Sequence, residues 1–424
     1  MYISLRTAPA RREGRRPPGI RTVSSTVVTL GVVSLLTDIS SESVAAVLPL
    51  YVTGMLGLSA VAFGVLDGLY QGVSALVRIG GGYASDRIGR PKWVAFSGYA
   101  VAAAARIGLL FASGFGALGL VVTADRIGKG IRTAPRDALI TAASRPAELG
   151  QAFGVHRMLD NIGAALGPFL AFVILLVVPD GFEIVFAASL SFALIGVVLL
   201  GVVVPNLRTR PPDERGGSAG GVAGGIRARR ARVRDLWRGP MRRVLVAAGI
   251  LGMLTIGDGF VYLVLQARSG FAAQWFPLLY VGTNVAFLAL AIPLGRLADR
   301  VGRARVFVLG HLGLLASYVV AALAIDDIAA TLLCLLFLGA FYAATDGVLA
   351  ALAAQLSPPE TRGTGIAAAQ TVVAVSRFVS ASMFGLLWVT LGREPATLLV
   401  AALLAVAIPA IAVLLRPLLR TVVS

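Results

Sequence analysis

The sequence contains few of the residues on which catalytic and metal centres are built. Its 424 residues include one cysteine, Cys334, and two histidines. A single cysteine excludes an intramolecular disulfide and a Cys-based metal site. The HExxH, GxSxG and P-loop patterns are also missing, so we expect no catalytic residue, no metal and no cofactor. The sequence therefore predicts a protein that is not an enzyme.

Charged residues are scarce as well. They make up 14% of the chain, against 57% hydrophobic residues, and the mean hydropathy is +0.84. A soluble protein of this length cannot bury so much apolar surface in its core. The composition therefore predicts a protein that lies in a lipid bilayer.

Apolar stretches long enough to cross about 30 Å of hydrocarbon recur along the whole sequence. Their length and uniform apolar character favour helices over strands. The sequence predicts twelve transmembrane helices, at residues 24–52, 60–83, 93–112, 116–140, 151–178, 183–204, 242–266, 272–295, 305–325, 329–355, 364–390 and 396–416.

Nearly all the basic loop residues lie in alternate loops of this predicted topology, with Arg268 and Arg393 as the exceptions. They precede the first helix, follow the second and fill the central loop, whereas loops 53–59, 113–116 and 179–182 contain no Lys or Arg. The positive-inside rule therefore predicts that both termini and the central loop are cytoplasmic, in a bacterial inner (plasma) membrane. This placement explains the net charge of +17 without a nucleic-acid partner.

The chain contains an internal duplication. Residues 82–90 and 295–303 share the frame G-x-x-x-D-R-x-G-R, and each copy follows the second helix of its half. Gly150 and Gly363 keep the same separation as the two loops. Two similar halves around a shared site are typical of transporters that open to each side of the membrane in turn.

Composition also suggests the domain boundaries. The central loop is rich in Pro, Gly and Arg, which favours a mobile tether at the anionic membrane surface. A short amphipathic helix over 226–238 is the alternative. The predicted segments are a basic N-terminal tail 1–22, an N-terminal six-helix bundle 23–204, a cytoplasmic linker 205–240, a C-terminal six-helix bundle 241–418 and a C-terminal tail 419–424.

This arrangement of six helices, a basic linker, six helices and a repeated loop resembles the major facilitator superfamily over nearly the whole chain. The resemblance implies an all-α membrane protein, with twelve transmembrane helices in two six-helix bundles related by a pseudo-two-fold axis around a central cavity. It also implies that the loop locks the bundles in an outward-facing state. Its Asp and Arg would join an acidic residue at the inner end of helix four, here Asp137.

The repeated loop can also be interpreted without the family. Its first glycine permits close helix approach, its Asp lies at a helix end and pairs with cations, and its last glycine permits a tight turn. Each copy predicts a cytoplasmic latch, the alternative being a loop whose charges only face water. The predicted gating residues are Gly82, Asp86, Arg87, Gly89, Arg90, Asp137, Gly295, Asp299, Arg300, Gly302 and Arg303.

Charges inside the predicted helices indicate a proton and substrate site. Each costs about 2.5–3.5 kcal/mol on insertion scales, so each needs a partner or a water-filled face. Asp38 and Glu42 share one face of helix one, which favours proton uptake and release; the alternative is a structural pair satisfied by neighbouring Arg or Ser. The predicted proton-coupling and substrate residues are Asp38, Glu42, Asp125, Arg126, Lys129, Arg132, His156, Arg157, Asp160, Asp258 and Asp346.

Helix four carries the densest cluster of these charges. Asp125 and Lys129 are spaced i,i+4, where opposite charges attract; a purely structural ion network to helices one and five is the alternative. The run from Arg126 to Gly130 resembles the family's helix-four signature, whose Arg is associated with proton coupling. Lys129 stands where the family usually has Gln.

Helix five has a second signature. Gly163, Gly167 and Pro168 are predicted to allow close packing and to bend the helix. They are similar to the antiporter signature of the drug/proton branch, although Ala171 and Phe172 replace the glycines expected next. His156 in the same helix has two interpretations, a hydrogen-bonded packing role or a proton relay.

The second half has fewer charged residues inside its predicted helices, so we expect proton coupling mainly in the first bundle. Aromatic and small polar residues of the second half are expected to shape the cavity. They are Tyr262, Gln266, Asn284, Tyr342 and Gln370.

The sequence thus predicts a secondary active transporter that moves a small organic solute by alternating access, as a monomer, through proton-coupled efflux (antiport). The alternative is a proton symporter or uniporter for a sugar, organic acid or other anionic metabolite, because the cations of helix four can neutralise an anion. A sensor or scaffold with a transporter fold would show no flux.

Overall fold

All regular secondary structure in the described part of the chain is helical, and no strand occurs there. The computed structural model describes residues 23–145, 148–207, 239–323, 327–358 and 361–420, apart from the side chains at 79, 81–83, 86, 87 and 420. The helices are α1 (Ser25–Leu50), α2 (Ala60–Ile88), α3 (Pro91–Leu109), α4 (Phe115–Ala142), α5 (Leu149–Val177), α6 (Phe182–Val202), α7 (Gly239–Met253), α8 (Asp258–Ser269), α9 (Phe276–Val301), α10 (Arg303–Ala322), α11 (Asp327–Leu356), α12 (Arg362–Leu391), α13 (Arg393–Leu414) and α14 (Arg416–Arg420).

The helices pack as two bundles with matching internal contacts. In the first bundle α1 packs against α5 and α6, α4 packs against α2 and α3, and α3 also contacts α6. In the second bundle α7 packs against α12 and α13, α11 packs against α9 and α10, and α10 also contacts α13. The pairs correspond in chain order, which confirms the predicted fold of two similar six-helix bundles. The predicted linker lies mostly outside the described residues, as does its alternative helix at 226–238.

Ten of the described helical segments are long and apolar enough to cross a membrane. The helices predicted as the third and fourth spans, α3 and α4, are not among them. Six charged residues interrupt α4, and α3 combines many alanines with Lys92 and Arg106. Both helices nevertheless pack inside the first bundle, where their charges find the partners described below.

The seventh span is broken, so the continuous helix predicted over 242–266 is wrong. The chain leaves the helical conformation after Met253 and resumes it at Asp258, so α7 and α8 together form this span. Gly257 precedes the second half in an extended conformation. Polar side chains arriving from other helices explain how the interruption is tolerated.

Two side chains pair the backbone groups that the break exposes. The hydroxyl of Tyr318 accepts a hydrogen bond from the Ile256 amide at 2.6 Å and donates to the Leu254 carbonyl at 3.2 Å. Ser380 donates to the Thr255 carbonyl at 2.9 Å. Unpaired backbone groups inside a membrane cost several kcal/mol each, and partners from neighbouring helices remove that cost.

The glycines of the repeated loop behave differently from one another. Gly89 ends α2 with φ +62° and Gly302 lies between α9 and α10 with φ +104°, so the tight turns predicted there are present. At Gly295 no described atom lies within 4 Å of the position that a Cβ atom would take. The close helix approach expected at Gly295 is therefore absent in this conformation.

The two bundles touch on the side of the loops that lack basic residues. Near that side α2 packs against α12, and the positions that Cβ atoms would take at Gly64 and Gly385 lie within 3.1 Å of backbone atoms of the opposite bundle. The rings of Phe172 and Trp275 lie 5.3 Å apart between α5 and the turn before α9. On the opposite side Gly154, like Gly295, has no described neighbour within 4 Å of a Cβ position.

Candidate functional site

A cavity of about 370 Å³ lies between the bundles. A second cavity of about 290 Å³, towards the basic loops, shares Gln71, Ser74 and Asp346 with it, so the two are continuous. The polar side chains that line the first cavity are Glu42, Asp67, Tyr70, Gln71, Ser74, Arg126, Lys129, Asp258, Tyr262, Tyr280, Thr283, Asn284, Tyr342 and Asp346.

Two loose ion pairs join α1 to α4, and the first of them lines this cavity. Lys129 Nζ lies 3.8 Å from Glu42 Oε1, and Arg132 Nη2 lies 3.9 Å from Asp38 Oδ1. The side chains of Lys129 and Glu42 are 34% and 27% exposed, which leaves both accessible to water or to a ligand. Tyr70 donates a long hydrogen bond of 3.4 Å to Glu42. The structure thus brings together four residues that the sequence predicts for the site.

A contact between two carboxyl groups lies behind these pairs. Asp38 of α1 and Asp160 of α5 are close enough for their charges to interact. Two neighbouring carboxyl groups repel each other when both are ionised, which favours a state in which one of them holds a proton. Arg136 lies 3.7 Å from Asp160 and supplies a positive charge beside the pair. The arrangement can therefore hold and exchange one proton.

Asp125 and Arg126 belong to a different, closed network. Asp125 forms ion pairs with Arg126 and, at 3.0 Å, with Arg106 of α3. Each of the three side chains is at most 4% exposed. The i,i+4 pairing of Asp125 with Lys129 is therefore wrong, and Arg126 does not pair with a carboxylate of α1. The guanidinium of Arg126 lies 3.7 Å from the ring centre of Tyr70, which anchors it at the cavity wall.

Two predicted residues of α5 lie away from the cavity lining. His156 is buried at 1% exposure, and its Nε2 has no hydrogen-bond partner in the described part of the chain. The hydrogen bond expected for a packing role is therefore not seen at that nitrogen. Arg157 is exposed.

The small residues of α5 determine how closely it approaches α1. A Cβ atom at Gly163 would lie 2.5 Å from the carbonyl oxygen of Leu35, and one at Gly167 would lie 2.8 Å from the amide nitrogen of Ser43. Only glycine permits this separation. Pro168 lies within the continuous helix α5. The close packing places Asp160 of α5 beside Asp38.

The second bundle contributes its own polar groups. Tyr342 donates a 2.6 Å hydrogen bond to Asp258, and Arg377 lies 3.9 Å from Asp346. Of the cavity residues expected in this half, Tyr262 and Asn284 line the first cavity with Tyr342, and Gln370 lines the second. Gln266 lines neither of these two cavities.

The sequence interpretation missed Asp67. This residue lies in the middle of α2 and lines the cavity. One of its carboxylate oxygens is buried without a hydrogen-bond partner among the described residues. The rule that drew attention to Asp38, that a charge in an apolar run needs a partner, applies equally to Asp67 and would have found it.

The predicted latch residues are only partly described. Asp137 pairs with its neighbour Arg136 at 3.1 Å, and Asp299 pairs with Arg303 at 3.0 Å. Arg90 and Arg300 are exposed. Gly82 and the side chains of Asp86 and Arg87 lie outside the described set, so the contact expected between this loop and Asp137 remains a prediction. Among the described residues no group of three metal-ligating side chains occurs.

Most of the chain also matches a known family. The family described as Major Facilitator Superfamily matches residues 30–283 and 269–423. The chain belongs to the Major Facilitator Superfamily. A member of this superfamily with an all-helical, two-bundle structure is a secondary transporter, and the following likenesses are consistent with that.

Relatives of this facilitator chain include an uncharacterized MFS-type transporter of Methanocaldococcus jannaschii. The two are 28% identical over 380 residues, covering 87% of this chain and 89% of the relative. An uncharacterized protein of Mycobacterium tuberculosis is 30% identical over 143 residues, 34% of each chain.

Solved structures share the facilitator fold at low sequence identity. The nucleoside transporter NupG has a TM-score of 0.73 with 14% identity, covering 92% of this chain and 99% of its own. A POT family transporter in complex with 5-aminolevulinic acid also has a TM-score of 0.73, with 15% identity, covering 94% and 98%. A bacterial homolog of the human lysosomal transporter Spinster, in an inward-facing and unoccupied conformation, has a TM-score of 0.70 with 15% identity, covering 96% and 100%.

Proposed function

We propose that this transporter moves a small organic solute by alternating access and couples the movement to protons. The neighbouring Asp38 and Asp160 carboxyl groups carry the proposal, because their mutual repulsion when both are ionised favours the binding of one proton. Losing that proton places two negative charges side by side, which their cationic neighbours Arg132 and Arg136 then neutralise. Proton binding thereby changes the ion pairs between α1, α4 and α5.

The direction of coupling that we propose is efflux by antiport, nearest to the drug/proton branch. The small-residue signature of α5 supports this assignment. The loose Glu42–Lys129 pair at the cavity also supports it, since a ligand that disturbs this pair changes the charge around Asp38. A ligand shifts the conformational balance only by its differential affinity for the two states, so proton and solute would compete through this network.

We also propose a bacterial inner-membrane location with both termini in the cytoplasm and a monomer as the working unit. The loop charges support the orientation. With that orientation, the conformation described here is closed on the periplasmic side, and the second cavity extends towards the cytoplasm.

Inside-out vesicles with an acidic interior test the coupling. A library of small cations, anions and neutral metabolites is added while a pH-sensitive dye reports the gradient. An antiporter releases protons when its solute is added, and we expect Asp38→Asn and Asp160→Asn to abolish that release. Asp180→Asn, in an exposed loop, is the matched control and should behave like the parent protein.

Two outcomes would contradict the proposal. Proton release that continues unchanged in both variants would exclude the carboxyl pair as the coupling site. Solute that moves with the proton, or without any gradient, would support the symporter or uniporter for a sugar, organic acid or other anionic metabolite.

A further inference from the structure

Some carboxylates of the cavity have a cationic partner and others have none in the described part of the chain. Four acidic side chains line it. Glu42 pairs with Lys129 and Asp346 pairs with Arg377. Arg126, the remaining cation of the lining, is held by the buried Asp125. Asp67 and Asp258 are therefore the two that form no ion pair within the described residues.

These two carboxylates come from opposite bundles and meet at the break in the seventh span. The Cγ atom of Asp67 lies 3.0 Å from the position that a Cβ atom would take at Gly257, and Asp258 is the next residue. Like charges on Asp258 and Asp67 repel each other. Arg377, which also pairs with Asp346, attracts Asp67. Asp67 and Asp258 thus place two carboxyl groups together at the cavity wall.

One carboxylate oxygen of this pair has no hydrogen-bond donor among the described residues. Asp258 accepts a bond from Tyr342. In Asp67 the Oδ2 atom is inaccessible to solvent and has no donor within the described set. An unpaired buried polar atom of this kind is energetically unfavourable, and more so when it is charged. A positively charged donor arriving in the cavity would remove that cost.

The apolar part of the lining consists largely of aromatic rings. Phe63, Tyr262 and Tyr280 surround the broken span near Asp258, with the rings of Tyr262 and Tyr280 4.7 Å apart. Aromatic faces attract cations and accept apolar groups. The wall therefore suits a molecule that combines a positive charge with an apolar body.

We propose that the solute of this transporter is an organic cation whose charged group binds between Asp67 and Asp258. The inference rests on the proposed transport function and names its substrate class. The apolar body packs against Phe63, Tyr262 and Tyr280. Because one carboxylate belongs to α2 and the other to α8, the bound cation connects the two bundles, and it does so at the point where the seventh span has no helical hydrogen bonds.

The test compares two probes of the same shape and opposite charge, tetraphenylphosphonium and tetraphenylborate. Binding to the purified protein in detergent is measured by equilibrium dialysis at one fixed pH. We expect the phosphonium to bind and the borate to bind at least about tenfold more weakly, since carboxylates attract a cation and repel an anion. Asp67→Asn and Asp258→Asn should each weaken phosphonium binding about tenfold or more, and Asp180→Asn should leave it unchanged.

Three results would overturn the inference. They are preference for the borate, equal affinity for both probes, and phosphonium affinity that survives both Asp67→Asn and Asp258→Asn. The comparison of probes on the parent protein stands even if a variant does not fold. The binding measurement needs no proton gradient, so its failure is distinct from a failure of coupling through Asp38 and Asp160.

Discussion

At the scale of single residues, the charges of the first bundle fall into two classes with different roles. Asp125 and its two arginines are buried and fully paired, whereas Glu42 and Lys129 are loosely paired and exposed to the cavity. Tight burial favours a fixed structural network, since removing one partner leaves an uncompensated charge. Loose, hydrated pairs can exchange partners, which is what coupling requires.

Asp125→Asn is expected to destabilise the protein strongly. It leaves Arg106 and Arg126 without their counter-charge, and breaking a buried pair costs about 3–5 kcal/mol. The apparent unfolding temperature in detergent measures the effect. Asp299→Asn is the matched control, because Asp299 also pairs with an arginine but is 66% exposed, and exposed pairs contribute about 0–1 kcal/mol. Similar shifts for the two variants would contradict the structural role of Asp125.

How far the sequence predicts these residues depends on the kind of interaction. The spacing of Asp38 and Glu42 was enough to place both near the cations of α4. The partner of Asp125 was not predictable, because Arg106 lies on another helix and only packing decides whether it or Lys129 is nearer. Asp67 was identifiable in principle, but its position against Gly257 depends on a break that the apolar run does not reveal.

At the scale of helices, the break between α7 and α8 is the main departure from a regular bundle. Its exposed backbone groups depend on Tyr318 and Ser380. Apolar length predicts that a segment spans the membrane, but it carries no information about side chains from other helices that replace helical hydrogen bonds. This is why the sequence predicts the two six-helix bundles but not the interrupted form of the seventh span.

Tyr318→Phe is expected to destabilise the broken span by about 1–3 kcal/mol, because it leaves the Ile256 amide and the Leu254 carbonyl without a partner. Thermal unfolding in detergent, with hydrogen exchange of residues 250–260, measures the change. Tyr99→Phe is the matched control, since the Tyr99 hydroxyl is buried and has no partner in the described structure. We expect little change there. Equal effects of both substitutions would show that the bridging hydroxyl contributes nothing specific.

At the scale of the whole molecule, the two bundles touch on one side of the membrane and part on the other. Phe172 and Trp275 mark the closed side. Towards the other side, no neighbour among the described residues lies within 4 Å of a Cβ position at Gly154 or Gly295. The internal duplication predicted two similar bundles. It could not predict which side is closed, because a sequence that serves several conformations does not specify one of them.

Cross-linking distinguishes the two sides. Cys334 is the sole cysteine, so Cys334→Ser gives a background without thiols while keeping a donor for the Ser317 carbonyl. In that background, Phe172→Cys with Trp275→Cys should react readily with a short methanethiosulfonate cross-linker in the absence of solute. The control pair, Gly154→Cys with Gly295→Cys, should react slowly. Peptide mass spectrometry measures both yields, and equal yields would contradict the one-sided closure.

The glycines between α2 and α12 have a mechanical consequence. Gly64 and Gly68 of α2 and Gly385 of α12 bring the two backbones together, and the side chain of Phe378 packs against Gly68 in this seam. A close contact at glycines can act as a pivot, because α2 can rotate relative to α12 with little repacking of side chains. Bulkier residues at the contact between α2 and α12 would slow turnover even where the affinity for solute is unchanged.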